Sequence, residues 1–154
     1  MQVQRLSHIG ICVSDLERSV AFYRDALGFT ELSRLTVSGE DSARLLDIEG
    51  GALEAVYLER DGTRIELLYY PDAGHRAVDA PRPMNRVGLT HLSFRVADLD
   101  AVVSDIDKLG GNCMDGTRIA NEDWGTGAVF VTDPDGLRIE LLQAPGDPDS
   151  LPGH

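Results

Sequence analysis

The sequence has little cysteine, little positive charge and no apolar run near the roughly 20 residues of a membrane span. Its two cysteines, Cys12 and Cys113, stand far apart and without CxxC spacing, so neither a disulfide framework nor a zinc ribbon is available. Two reduced, buried thiols are expected. Only 14 Lys and Arg face 26 Asp and Glu, and the resulting net charge of −12 leaves no basic stripe for nucleic acid. The N-terminal Met-Gln-Val-Gln-Arg has no apolar core of a signal peptide, and a cytoplasmic location is expected. At 154 residues the chain suits one domain, or two small modules packed as one.

What is present is present twice. Ser7-His8-Ile9 opens one segment and Thr90-His91-Leu92 another. An Asp-Leu pair follows each, Asp15-Leu16 and Asp98-Leu99, and each segment closes on Arg-Ile-Glu-Leu-Leu, at 64–68 and 138–142. Such a repeat is read before anything else, because like modules share a core or a site. Module 1 spans 4–70, a connector 71–87, module 2 88–144 and a flexible tail 145–154, together one domain over 1–154. In module 1 a strand over 6–13 leads into a helix. Its N-cap is Ser14 or Asp15, with Glu17 closing a capping box on Ser14. The helical stripe is Leu16, Val20, Tyr23 and Leu27, stopped at Gly28. Strands near 30–38, 52–59 and 63–70 follow, the last two joined by Asp61-Gly62. Module 2 repeats the order. A strand over 89–96 precedes a helix with Leu99, Val103 and Ile106 on one side, ending at Gly110-Gly111. Strands near 113–119, 127–132 and 137–143 complete it, the last pair joined by Asp133-Pro134-Asp135-Gly136. The fold class is α+β: two tandem βαβββ modules forming a cupped mixed sheet with helices outside.

Strand alternation sets the direction of the ligands. Ile9, Ile11 and Val13 form the set under the helix, so His8 shares the other face with Gly10 and Cys12. Leu92, Phe94 and Val96 do the same in module 2, leaving His91 with Ser93 and Arg95. Ile65, Leu67, Ile139 and Leu141 point to the helix side, and Glu66 and Glu140 away from it. A lone strand His is usually a hydrogen-bonded structural residue. Two His and two Glu at equivalent places of a repeat, all on the non-helix face, point instead to a cation, because carboxylates buried beside imidazoles without one are costly.

The strand-His openings, Asp-Leu helix starts, paired Arg-Ile-Glu-Leu-Leu closings and the Asp-Pro-Asp-Gly turn resemble the vicinal oxygen chelate superfamily. That group contains glyoxalase I, methylmalonyl-CoA epimerase, extradiol dioxygenases and bleomycin-resistance proteins. The resemblance covers residues 6–143. It implies metal ligands at His8, Glu66, His91 and Glu140, and one divalent ion (Ni, Co, Fe, Mn or Zn) suited to such donors. It also implies a metal-dependent isomerase or lyase. The expected reaction is proton transfer next to a carbonyl through a metal-chelated enolate, with Glu140 and Glu66 as the catalytic carboxylates. The expected substrate is small and anionic, or its thiol conjugate; no organic cofactor, nucleic acid or membrane is implied, and a homodimer is. An Fe(II) extradiol-type dioxygenase built on His8, His91 and Glu140 is the alternative, disfavoured because Glu66 would fill a position that chemistry needs open. A non-catalytic, metal-free binding protein of the resistance type is the other, and has no need of four ligands.

Other residues are less specific. Arg34, Arg44, Arg86 and Arg118 are candidates for gripping an anionic tail, although solvated surface is the ordinary role of such residues. Glu49 stands in a region similar to the one where epimerases of the superfamily place an additional carboxylate, although a charge at a loop edge beside Gly50-Gly51 is the ordinary reading. Trp124, in a stretch of loop composition, is either a lid or a packing plug. His75 and His154 have no repeat partner and are read as solvent-facing.

Overall fold

In the computed structural model, which describes residues 2–77 and 81–150, the chain divides into two units, Met1–Ala77 and Val78–His154. The first contains β1 (Ile9–Cys12), α1 (Leu16–Asp25), β2 (Thr30–Val37), α2 (Glu40–Leu46), β3 (Leu53–Arg60) and β4 (Thr63–Tyr69). Its sheet runs β1-β4-β3-β2. β1 and β4 pair in parallel, Gly10 opposite Glu66, and the remaining neighbours are antiparallel. The first and last strands of the unit therefore lie side by side.

Asp15 caps α1, its carboxylate accepting the Arg18 N–H at 3.0 Å. The expected capping box does not form, because Glu17 turns outward to Arg34 on β2. The helix packs on β2, β3 and β4 with Leu16, Val20 and Tyr23 buried, and Ile11, Val56, Leu58, Ile65 and Leu67 of the sheet are buried too. Tyr23 is edge-on to both Phe22 and Phe29. Full burial of each such side chain is worth about 1.5–3 kcal/mol. Gly28 takes φ +70 after the helix, beneath the Arg60 guanidinium, which donates to the Leu27 carbonyl. Asp61 and Gly62 both have positive φ, the requirement of a two-residue hairpin whose twist matches its strands.

The second unit contains β5 (Leu92–Val96), α3 (Leu99–Lys108), β6 (Asn112–Cys113), β7 (Ile119–Asn121), β8 (Thr126–Thr132) and β9 (Arg138–Gln143). Its sheet runs β5-β9-β8-β6, with β7 also on β8. Again the first and last strands pair in parallel, here with Ser93 opposite Glu140. Asp98 caps α3 through the Ala101 N–H, and Leu99, Val103 and Ile106 are buried. The β8–β9 turn is held by buried Asp133, whose Oδ1 accepts the N–H groups of Asp135 and Leu137.

Other local details also depart from expectation. α2 was not foreseen: none of its residues is buried, so it carries no apolar period to read. The expected strand over 113–119 is broken by a 3-10 turn at Asp115–Thr117. There the Thr117 hydroxyl accepts the Phe130 N–H and donates to the Met114 carbonyl, bridging the gap between β6 and β7 on the edge of β8. The cysteines are not buried. Alternation puts Cys12 on the exposed face with Gly10, and Cys113 lies partly exposed on the short β6. Burial and a hydrogen bond to Asp115 push the Cys113 thiol up, which keeps it a weak nucleophile. No helix among the described residues is long and apolar enough to cross a membrane.

Candidate functional site

His8 stands immediately before β1, and Glu66 sits at the middle of neighbouring β4. Ile65 and Leu67 are locked under α1, so Glu66 must point to the opposite face. There the His8 Nε2 lies 3.1 Å from Glu66 Oε2. The other ring nitrogen, Nδ1, is hydrogen-bonded to the Ser7 hydroxyl at 3.0 Å. Tyr57 lies directly across from Glu66 on β3, on the same face of the sheet. Interaction with the neighbouring Glu66 carboxylate, together with burial, pushes the Tyr57 phenol up to about 12. Its ring meets the His8 ring edge-on at 5.3 Å. Tyr70 is also pushed up, by burial first and then by the charges of Cys12 and Glu66.

The second unit repeats this arrangement with its own strands. His91 Nε2 lies 3.7 Å from Glu140 Oε2, and its Nδ1 is bonded to the Thr90 hydroxyl at 2.9 Å. Phe130 occupies the place of Tyr57, opposite Glu140, and meets the His91 ring edge-on at 5.3 Å. Phe130 has no O–H to give. The donor to Glu140 is Ser93, across on β5, at 2.6 Å from Oε2. The Glu140 side chain is 30% exposed against 12% for Glu66, so the second carboxylate is the more open of the two.

In both units a preceding hydroxyl holds Nδ1 and aims Nε2 at a carboxylate oxygen. A hydroxyl both donates and accepts, so it can serve either tautomer of the ring. When it accepts from Nδ1–H, the Nε2 lone pair is free for a cation, the usual outer-shell support of a metal-ligating His. Each pair thus offers one imidazole and one carboxylate, donor types that divalent ions take. Among the described residues no three His, Cys, Asp or Glu side chains are gathered closely enough to hold one together. The four sequence candidates stand as two pairs, one in each unit.

The candidate arginines are engaged elsewhere. Arg34 binds Glu17 and Glu31, Arg44 binds Asp41 and Arg118 binds Asp100, while Arg86 lies exposed. Among the described residues, other arginines share the alternation of these side chains: Arg64 lies with Glu66 and binds Glu59. Arg95 shares the alternation of His91 and Ser93, and donates to the carbonyls of Ala144 and Pro145. Arg138 shares that of Glu140, and its guanidinium lies over the Phe130 ring at 5.3 Å. Alternation had already placed Arg95 with His91, and the same rule reaches Arg64 and Arg138. Glu49 and His75 are exposed, and His154 lies outside the described residues. Trp124 is 74% exposed in a 3-10 turn, so it is not a packing plug of its unit.

The sequence model of the Glyoxalase/Bleomycin resistance protein/Dioxygenase superfamily matches residues 5–141. The chain is 33% identical to the uncharacterized protein YaeR of Escherichia coli, over 92% of this chain and 97% of YaeR. It is 32% identical to a lactoylglutathione lyase of Salmonella typhimurium, over 91% of this chain and 93% of that enzyme. A glyoxalase family protein from Bacillus cereus superposes with a TM-score of 0.79, covering 95% of this chain and 97% of its own, at 22% identity. That last likeness speaks to the fold.

Proposed function

The chain belongs to the Glyoxalase/Bleomycin resistance protein/Dioxygenase superfamily, and from that premise we propose that it is a metal-dependent isomerase or lyase moving a proton next to a carbonyl. The observation that carries this reading is the twofold His–Glu pair, each imidazole turned by a hydroxyl so that Nε2 faces the carboxylate. His8, Glu66, His91 and Glu140 would hold the ion, the two pairs coming from one chain or from two chains of a homodimer. A bound divalent ion of the Ni, Co, Fe, Mn or Zn class supplies Lewis acidity, stabilising negative charge on a carbonyl oxygen as the neighbouring C–H bond breaks. Glu140, the more exposed carboxylate, takes that proton, while the electron pair passes into the carbonyl group. Return of a proton to the adjacent carbon, or to the other face of the same carbon with Glu66 as partner, gives the isomerised product.

Arg95 and Arg138 place positive charge on the face of Glu140 in a protein of net charge −12, which supports a small anionic substrate. Similarity to a lactoylglutathione lyase supports a thiol conjugate. Hemithioacetals and 2-methyl-branched acyl thioesters, incubated with the metal-loaded protein in deuterated water and followed by NMR, test the proposal. Deuterium at the carbon next to the carbonyl, lost in Glu140→Gln, is the expected result. Oxygen consumption with catechols and Fe²⁺ in place of exchange would replace this reading by a dioxygenase. Ligand binding with neither metal nor turnover would replace it by a binding protein.

A further inference from the structure

On the face of the second sheet turned away from α3, the register sorts side chains into rows, because cross-strand partners share a face. Ser93, Glu140 and Phe130 form one row, and Arg95, Leu142, Ala128 and Ile119 the next. Arg138 stands on the other side of Glu140 along β9. At roughly 3.3 Å per residue, Arg138 and Leu142 lie about 7 Å to either side of that carboxylate. The two arginines of this face differ. Arg95 spends its guanidinium on the carbonyls of Ala144 and Pro145. Arg138 has a single acceptor among the described residues, the Arg82 carbonyl, 3.1 Å from Nη2, and its Nε is covered and unpartnered.

No carboxylate among the described residues pairs with Arg138, whereas Arg24, Arg34, Arg44, Arg60, Arg64 and Arg118 each have one. Phe130 lies under its guanidinium at 5.3 Å and fixes the plane. A half-buried planar cation left without a counter-charge, in a chain of net charge −12, is complementary to a carboxylate from outside. The far side of Glu140 is apolar. Leu142 and Ala128 are half-buried, and Ile119 leaves 67% of its surface in water. Strands stand about 4.8 Å apart, so these three make a strip about 10 Å long. We infer that this face binds a small carboxylate with an apolar body, its anion on Arg138 and its chain along Leu142, Ala128 and Ile119. The inference deepens the functional reading above by naming a substrate class, and rests on it for the chemistry at Glu140. The binding site itself needs neither metal nor turnover.

The test titrates the isotope-labelled full chain with acetate, butanoate, hexanoate and octanoate, without added metal, and follows amide shifts by NMR. Octanoate is expected to move the amides of Ile119, Ala128 and Leu142, with affinity rising roughly twofold to fourfold per added methylene. Octanol, which lacks the anion, should bind the wild-type chain roughly tenfold more weakly or worse, and so should octanoate bind Arg138→Gln. Ile119→Ser, a change at an exposed position, should flatten the chain-length series. Thermal melts confirm that both variants are folded, and the contrast of octanoate with octanol needs no variant. Equal affinity for octanoate and octanol, or for octanoate and acetate, would overturn the inference, as would shifts confined to residues off this face. If the acids bind as expected but no candidate substrate exchanges deuterium, the functional reading falls and this site stands. If exchange runs equally fast on anionic and neutral thioesters, this site falls and the functional reading stands.

Discussion

Laid against each other, the two units agree where the histidine and glutamate strands pair and differ at the far edge of the sheet. β1 beside β4 and β5 beside β9 share register, inward residues and helix caps. At the opposite edge, the first unit has the eight-residue β2 followed by α2. The second has two short strands, β6 and β7, interrupted by a 3-10 turn. The difference teaches where constraint lies. Strands that aim these side chains tolerate no slip, because one residue of register would turn Glu66 or Glu140 under its helix. An edge strand remote from those side chains can be cut and rejoined through Thr117 without disturbing them.

The comparison can be broken in several ways. The largest effect should come from Glu140→Gln, which is expected to lower the exchange rate by about 10²–10⁴-fold. The His8→Ala and Glu140→Ala variants should each lose bound metal in elemental analysis, and equal metal content in wild type and variants would remove the metal reading. If the pairs come from two chains, mixing these two variants restores metal to part of the protein; if from one chain, it restores none. Leu67→Ala and Leu141→Ala remove equivalent, fully buried side chains, and each should cost about 2–5 kcal/mol in denaturant titrations. A large inequality would show that the inward faces are not equivalent. Asp15→Ala and Asp98→Ala should each cost about 1 kcal/mol by loss of a helix cap.

The smallest effect sharpens the comparison at the helix starts, where Arg34 binds Glu17 and Arg118 binds Asp100. The Arg34 bonds hold the Glu17 and Glu31 carboxyls below the ordinary value of 4.5. A lowered carboxyl contributes stability that is present above its ordinary value and is lost as pH falls through the folded one. These groups are exposed, so Arg34→Met should cost well under about 1 kcal/mol at neutral pH. In thermal melts the gap from wild type should close as pH drops below 4.5, and at neutral pH as salt is raised.

Much of this was legible in the residues because periods of two and 3.6 report burial directly. Ile65-Glu66-Leu67 declares its two faces without any knowledge of partners, and Leu16, Val20 and Tyr23 declare a helix. What escaped has no period. α2 buries nothing, and the turn at Asp115–Thr117 depends on one hydroxyl substituting for a ladder bond. Tyr57 and Ser93 escaped for another reason. Their places beside the carboxylates are set by cross-strand neighbours, and a neighbour exists only once register is known. Arg138 obeys the alternation that placed the histidines and Arg95, and was within its reach.

The parallel pairing of first strand with last has a consequence for the order of events during folding. In each unit the histidine and the glutamate lie near opposite ends of the segment, so they meet only when its longest loop has closed. Such contacts are entropically late and, when lost, early to open. Any ligand gripped by both residues thus acts as a clasp on the closing seam, adding stability by mass action. Its imprint would be slowed amide exchange along β1 and β5, whose hydrogen bonds zip that seam shut.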